Sequence, residues 1–181
     1  MTQSSTLFRV LGLSLLVALA SLAVSSCINP PDYPDTPSIE FKTITKERFR
    51  TDGGLIDSVK VTVSFKDGDG DLGLSNQDTN PPYDYGNGQN RYYNNYFIQP
   101  QIQQTDGTFK NYDVGTGGYD SRYPVLNTSG RSEPLKGDLT LNLVFSAGLP
   151  FRAGTVVRFQ VNIVDRALNE SNVITTEPIT F

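Results

Sequence analysis

Histidine and tryptophan are absent from the 181 residues, and cysteine and methionine occur once each. Without histidine there is no Ser-His-Asp or Cys-His catalysis, no His-ligated zinc and no imidazole base. A single cysteine closes no internal disulfide and builds no cysteine-rich metal site. Positive charge is thin as well. Lys+Arg 15 against Asp+Glu 19 gives a net charge of -4, not the clustered basic face that nucleic acid requires. The glutamates fall singly at Glu40, Glu47, Glu133, Glu170 and Glu177. They form no acid/base pair, and no phosphate-gripping Gly-Lys loop accompanies them. These absences predict a protein that is not an enzyme and has no nucleic-acid partner.

What is present begins with an address. Arg9 precedes the apolar run VLGLSLLVALASLAV over Val10–Val24. That run is shorter than the roughly 20 residues a spanning helix needs, but it suits the h-region of a signal peptide. It ends in Val24-Ser25-Ser26-Cys27, with the only cysteine of the chain at its close. An aliphatic residue, two small residues and then Cys resembles the lipobox of bacterial lipoproteins. The resemblance implies cleavage before Cys27 and palmitate-type acylation there, since stable anchoring takes two or more acyl chains. Ile28 follows the cysteine rather than an aspartate. By the lipoprotein sorting rule this implies the outer membrane and leaves open which face the domain occupies. Residues 1–26 are therefore expected as a signal-peptide helix. Residues 27–37, with Pro30, Pro31, Pro34 and Pro37, are expected as a stiff extended spacer.

From residue 38 onward the pattern has period two. Val59, Val61, Val63 and Phe65 alternate with Lys60, Thr62, Ser64 and Lys66. Leu139, Leu141, Leu143 and Phe145 repeat the pattern, as do Val157, Phe159, Val161 and Ile163. Such alternation marks half-buried strands over 58–66, 138–146 and 155–164. Weaker runs at 38–44, 95–104, 108–114 and 173–181 complete a set of about seven, with a hairpin signal at Thr105-Asp106-Gly107-Thr108. Pro100 and Pro178 suit edge strands. Residues 38–181 thus read as an all-β, immunoglobulin-like Greek-key sandwich, with an eight-stranded barrel as the alternative. In strand letters, 58–66 is B, 95–104 is C, 138–146 is E, 155–164 is F and 172–181 is G.

The segments Phe65-Lys66-Asp67-Gly68-Asp69-Gly70-Asp71-Leu72-Gly73-Leu74 and Asp165-Arg166-Ala167-Leu168-Asn169 resemble those of small lipoproteins of Bacteroidetes-type bacteria. That resemblance implies fold and location but no reaction. Chemically, Asp67, Asp69 and Asp71 place three carboxylates at alternate positions where strand B ends. Hard cations such as calcium take six to eight oxygens, which alternating Asp residues in a turn can supply. Counted against an EF-hand loop these are positions 1, 3 and 5, with Asp78 at position 12. Leu72 stands where that loop needs glycine. Loops BC and FG share one end of an immunoglobulin-like sandwich, so Asp165 and Asn169 are expected beside the three aspartates in a structural calcium site. The competing expectation is a solvated turn, because Asp and Gly are ordinary turn residues.

All tyrosines except Tyr33 fall between 83 and 123, interspersed with asparagines. The polar stretch 75–94 is long for a joint, and long loops on rigid scaffolds often bind. Tyr83, Tyr85, Tyr92 and Tyr93 are the candidate ligand-binding residues, with a protein or a glycan as partner. The functional expectation is a lipid-anchored envelope protein acting as an interaction or accessory module. The alternative is a glycan-binding lipoprotein of a polysaccharide-uptake system.

Overall fold

Alternating valines make the centre of the molecule. In the computed structural model, residues 31–115 and 118–181 are described, and Asp32–Phe181 form one compact unit. The signal segment 1–26 and Cys27 lie outside the described residues. No described helix is long and apolar enough to cross a membrane. Among the described residues eight strands run in order: β1 (Ser38–Thr51), β2 (Gly54–Asp67), β3 (Tyr96–Gln103), β4 (Phe109–Asn111), β5 (Leu135–Ser146), β6 (Val156–Ile163), β7 (Ile174–Thr175) and β8 (Ile179–Thr180).

One antiparallel sheet has the order β1-β2-β5, and the other β4-β3-β6-β7 with β8 also on β6. The chain crosses between sheets after β2, β4 and β5, which is the immunoglobulin-like Greek-key arrangement. Val59, Val61, Val63 and Phe65 of β2, with Leu139, Leu143 and Phe145 of β5, meet Ile98 of β3 and Val157, Phe159, Val161 and Ile163 of β6 in one buried cluster. Each such side chain contributes about 1.5–3 kcal/mol by leaving water, so the core stands without a disulfide.

Several elements differ from their sequence-based expectations. β1 runs on to Thr51 and forms a long hairpin with β2 around Asp52-Gly53. Its charged residues hide the alternation because part of it projects beyond the opposite sheet. There Asp57 is fully buried and is held by Arg48 in a bidentate pair at 2.7 Å.

Pro100 sits in an inner strand rather than an edge. Its carbonyl accepts from the Tyr112 amide at 2.9 Å, so its nitrogen also faces the β4 side, just past the end of β4. The ladder from β3 to β6 is therefore whole. Strand G is split into β7 and β8 around Glu177-Pro178. The proline-rich segment is only partly a spacer, since Pro37 is buried and the Pro34 carbonyl accepts from the Gly68 amide at 2.9 Å.

Candidate cation site

The inward face of β2 continues one step past its apolar residues. Val59, Val61, Val63 and Phe65 point into the core, and the next position of that period is Asp67, paired in register with Leu135. Its carboxylate is fully buried, and among the described residues neither of its oxygens accepts a hydrogen bond. Burying an ionised carboxylate without partners is costly.

Three other segments close over the loop that follows. The Gly68 amide donates to Pro34, the Glu133 amide to the Asp69 carbonyl at 3.2 Å, and the Leu126 amide to the Leu72 carbonyl at 3.0 Å. Gly70 has φ +72, and a side chain there would run into the Glu133 carbonyl. A loop pinned on three sides holds Asp67 out of solvent, while Asp69 and Asp71 keep partial exposure. The solvated-turn expectation therefore fails for Asp67, which has no exposure at all.

Asp67, Asp69 and Asp71 each bring an oxygen within 4.8 Å of the others. The loop after β6 arrives at the same end of the sandwich, as its strand order requires. There the Ala167 amide donates to Asp71 Oδ2 at 3.0 Å, while Asp71 Oδ1 is buried without a partner. Asp165 is buried and is held by Asn169, whose backbone N–H donates to Oδ1 at 2.7 Å and whose Nδ2 donates to Oδ2 at 2.8 Å. Asn169 thus meets the cluster through Asp165. Buried Tyr123 spends its hydroxyl proton on the Val164 carbonyl at 3.2 Å, so it has no proton to give the carboxylates.

The electrostatics follow. Burial first, then repulsion from Asp69 and Asp71, pushes Asp67 up to about 7. Burial, then Asp165 and Asp69, pushes Asp71 up to about 6. Asp165 is raised by burial, against the opposing Asn169 bonds. A recess of about 280 Å³ bordered by Asp69, Asp71, Asn127 and Arg166 leads to the cluster from outside. Clustered oxygens with vacant lone pairs and an entry path match the donor chemistry of a hard divalent cation.

Asp78, at the twelfth loop position, is committed elsewhere. Arg166 holds both its oxygens at 2.8 and 2.9 Å, and Asp78 Oδ2 also accepts from the Ser75 amide at 2.7 Å. The Arg166 guanidinium accordingly keeps the Asp78 carboxyl well below the usual carboxylate range.

The four candidate tyrosines do not form one flat platform. The Tyr83 hydroxyl donates to the Arg166 carbonyl. The Tyr92 hydroxyl reaches Glu170 at 3.4 Å, and the Arg122 guanidinium lies 4.3 Å over the Tyr93 ring. Tyr85 is 61% exposed and meets Tyr93 edge-on at 79°. Tyr96 and Tyr123 are core residues, and Tyr112 and Tyr119 pack on Phe151 and Phe145.

Two residues had no signal in the sequence. Arg122 donates to the carbonyls of Ser75, Asp78, Tyr83 and Tyr93, fixing the long loop from within. Glu170 joins that loop through Arg91 at 2.9 Å. Neither belongs to a motif, since backbone carbonyls and distant loops find them only after folding.

No family model matches the chain, and no curated protein matches it. Among solved structures it is similar to the X-ray structure of Northeast Structural Genomics Consortium target SoR45, at 10% identity and a TM-score of 0.30. That match covers 80% of this chain and 84% of the other.

Proposed function

We propose that the chain is a non-catalytic envelope protein, an immunoglobulin-like sandwich anchored through acylated Cys27 at the outer membrane and stiffened by structural calcium. Asp67, Asp69, Asp71 and Asp165 supply the carboxylate oxygens, and Asn169 orients Asp165. The observation that supports this reading is Asp67, a fully buried carboxylate with no hydrogen bond, set beside those of Asp69 and Asp71. A divalent ion relieves the burial cost and the mutual repulsion together. With its donors fixed by loop backbones and no nucleophile at hand, the ion serves to join loops. The module's role is interaction, with the ordered loop 75–94 as the presented surface. Glycan binding through the same loop has one observation in its favour: exposed Tyr85 borders an open cleft of about 860 Å³ with Asn87, Gln89 and Asn94.

Thermal melting with calcium and with chelator tests the site. At ten times its dissociation constant, calcium adds about 1.4 kcal/mol, or roughly 4 °C in a domain of this size. That shift is expected to vanish in Asp67→Asn. An equal shift in the variant, or none in the natural protein, rejects the calcium reading.

A further inference from the structure

The segment between β6 and β7 has two sides, and each grips a different loop. On one side, the Ala167 amide donates to Asp71 of the carboxylate cluster, and buried Asp165, held by Asn169, is near enough to repel Asp67 and Asp71. On the other, the Arg166 carbonyl accepts from Tyr83, the Arg166 guanidinium holds Asp78, and Glu170 holds Arg91 and Tyr92. The turn itself is tight. The Leu168 amide donates to the Asp165 carbonyl at 3.3 Å, and Leu168 takes φ +68, a conformation that non-glycine residues rarely hold without support from their surroundings. Its supports are the two Asn169 bonds to Asp165.

The geometry points to a calcium-dependent binding surface: the ion at the aspartate cluster fixes the 165–170 turn, and that turn fastens the tyrosine loop 75–94 in the shape it presents. This rests on the calcium reading above and adds what the ion controls. With the ion in place, Asp165 and Asp71 are drawn to a common charge and the turn is seated. Without it, four carboxylates repel across the junction, and the turn carries Tyr83, Asp78, Arg91 and Tyr92 with it. The coupling runs through a contiguous set of hydrogen bonds and ion pairs that both sites share. Arg122 holds the loop's inner carbonyls either way, so calcium governs its outer, presented side.

Amide hydrogen exchange on the full chain in detergent, with calcium or chelator, reads this directly. Calcium is expected to slow exchange across residues 76–93 about tenfold or more. In the triple variant Tyr83→Phe/Asp78→Asn/Glu170→Gln, which weakens each of these contacts between turn and loop and leaves the cluster intact, calorimetry still shows calcium binding while the slowing falls below about threefold. Binding heat with unchanged loop exchange in the natural protein overturns the coupling and spares the site. Full slowing in the triple variant also overturns the coupling, because that variant breaks the stated link. Absence of binding heat in the natural protein overturns both.

Discussion

Asp67 decides the chemistry at the residue scale because its burial is enforced by strand period and not by any partner. In the unfolded chain an aspartate titrates near 4, whereas in the metal-free fold burial and its neighbours raise Asp67 to about 7. Between those values the folded state keeps a proton that the unfolded state has lost. Stability of the metal-free protein therefore falls as pH rises from about 4 to about 7 and stays low above. Asp71, raised to about 6, acts in the same direction. With no histidine in the chain, no imidazole obscures that window. Calorimetric melts in chelator are expected to give a higher Tm at pH 5 than at pH 8, with saturating calcium shrinking or reversing the difference. A metal-free Tm that rises from pH 5 to pH 8 contradicts this account. The spacing of the three aspartates was readable, and so was the approach of the loop after β6, whose Ala167 amide reaches Asp71, because strand order puts the two loops at one end. The hub at Arg122 was not readable, since its partners are carbonyls that carry no sequence mark.

The loop after β2 works as an element because other segments approach it too closely for any side chain. Gly70→Ala is expected to destabilise by about 3 kcal/mol, combining the cost of positive φ with a clash against the Glu133 carbonyl. Gly107→Ala, at φ +82 with open space around it, isolates the φ effect and is expected to cost about 1 kcal/mol. Chemical denaturation checks the difference, and equal costs would remove close approach as the reason for glycine at position 70. The strong strands were legible because each shows one clean inner face. The outer half of the β1–β2 hairpin was not, because it lacks an opposing sheet and so has no apolar period to show. Asp52-Gly53 was its only signal. Pro100 misled because a proline is excluded from an inner strand only where its missing donor leaves an acceptor without a partner, and here the facing Tyr112 carbonyl accepts from Gln99 Nε2 at 2.8 Å instead.

For the molecule as a whole, the aspartate loop lies at the end of the domain where its first residues pack, beside Pro34. The domain begins at Asp32, with Pro34 bonded to Gly68 of the aspartate loop. On the proposed anchoring, the five residues from Cys27 to Asp32 span at most about 18 Å. On that proposal the aspartate loop is expected nearest the membrane, with the Asp52-Gly53 turn a strand length, about 45 Å, farther out. The proposed acylation would consume Cys27, the single cysteine of the sequence, so that a cysteine introduced as Asn76→Cys or Asp52→Cys is the thiol to label. In vesicles containing a lipid quencher, a fluorophore at position 76 is expected to be quenched several-fold more than one at 52. Equal quenching would mean that the domain does not stand on this end.

The claim that ties these scales together is that the aspartate cluster binds a divalent cation. Calorimetric titration of calcium into the full chain at pH 7.5, beside Asp67→Asn, tests it most directly. The account predicts one calcium per chain with a dissociation constant of about 0.1 to 1 mM, the range of extracellular calcium modules, and binding at least about tenfold weaker in the variant. No heat from the natural chain, or the same affinity in Asp67→Asn, would contradict it.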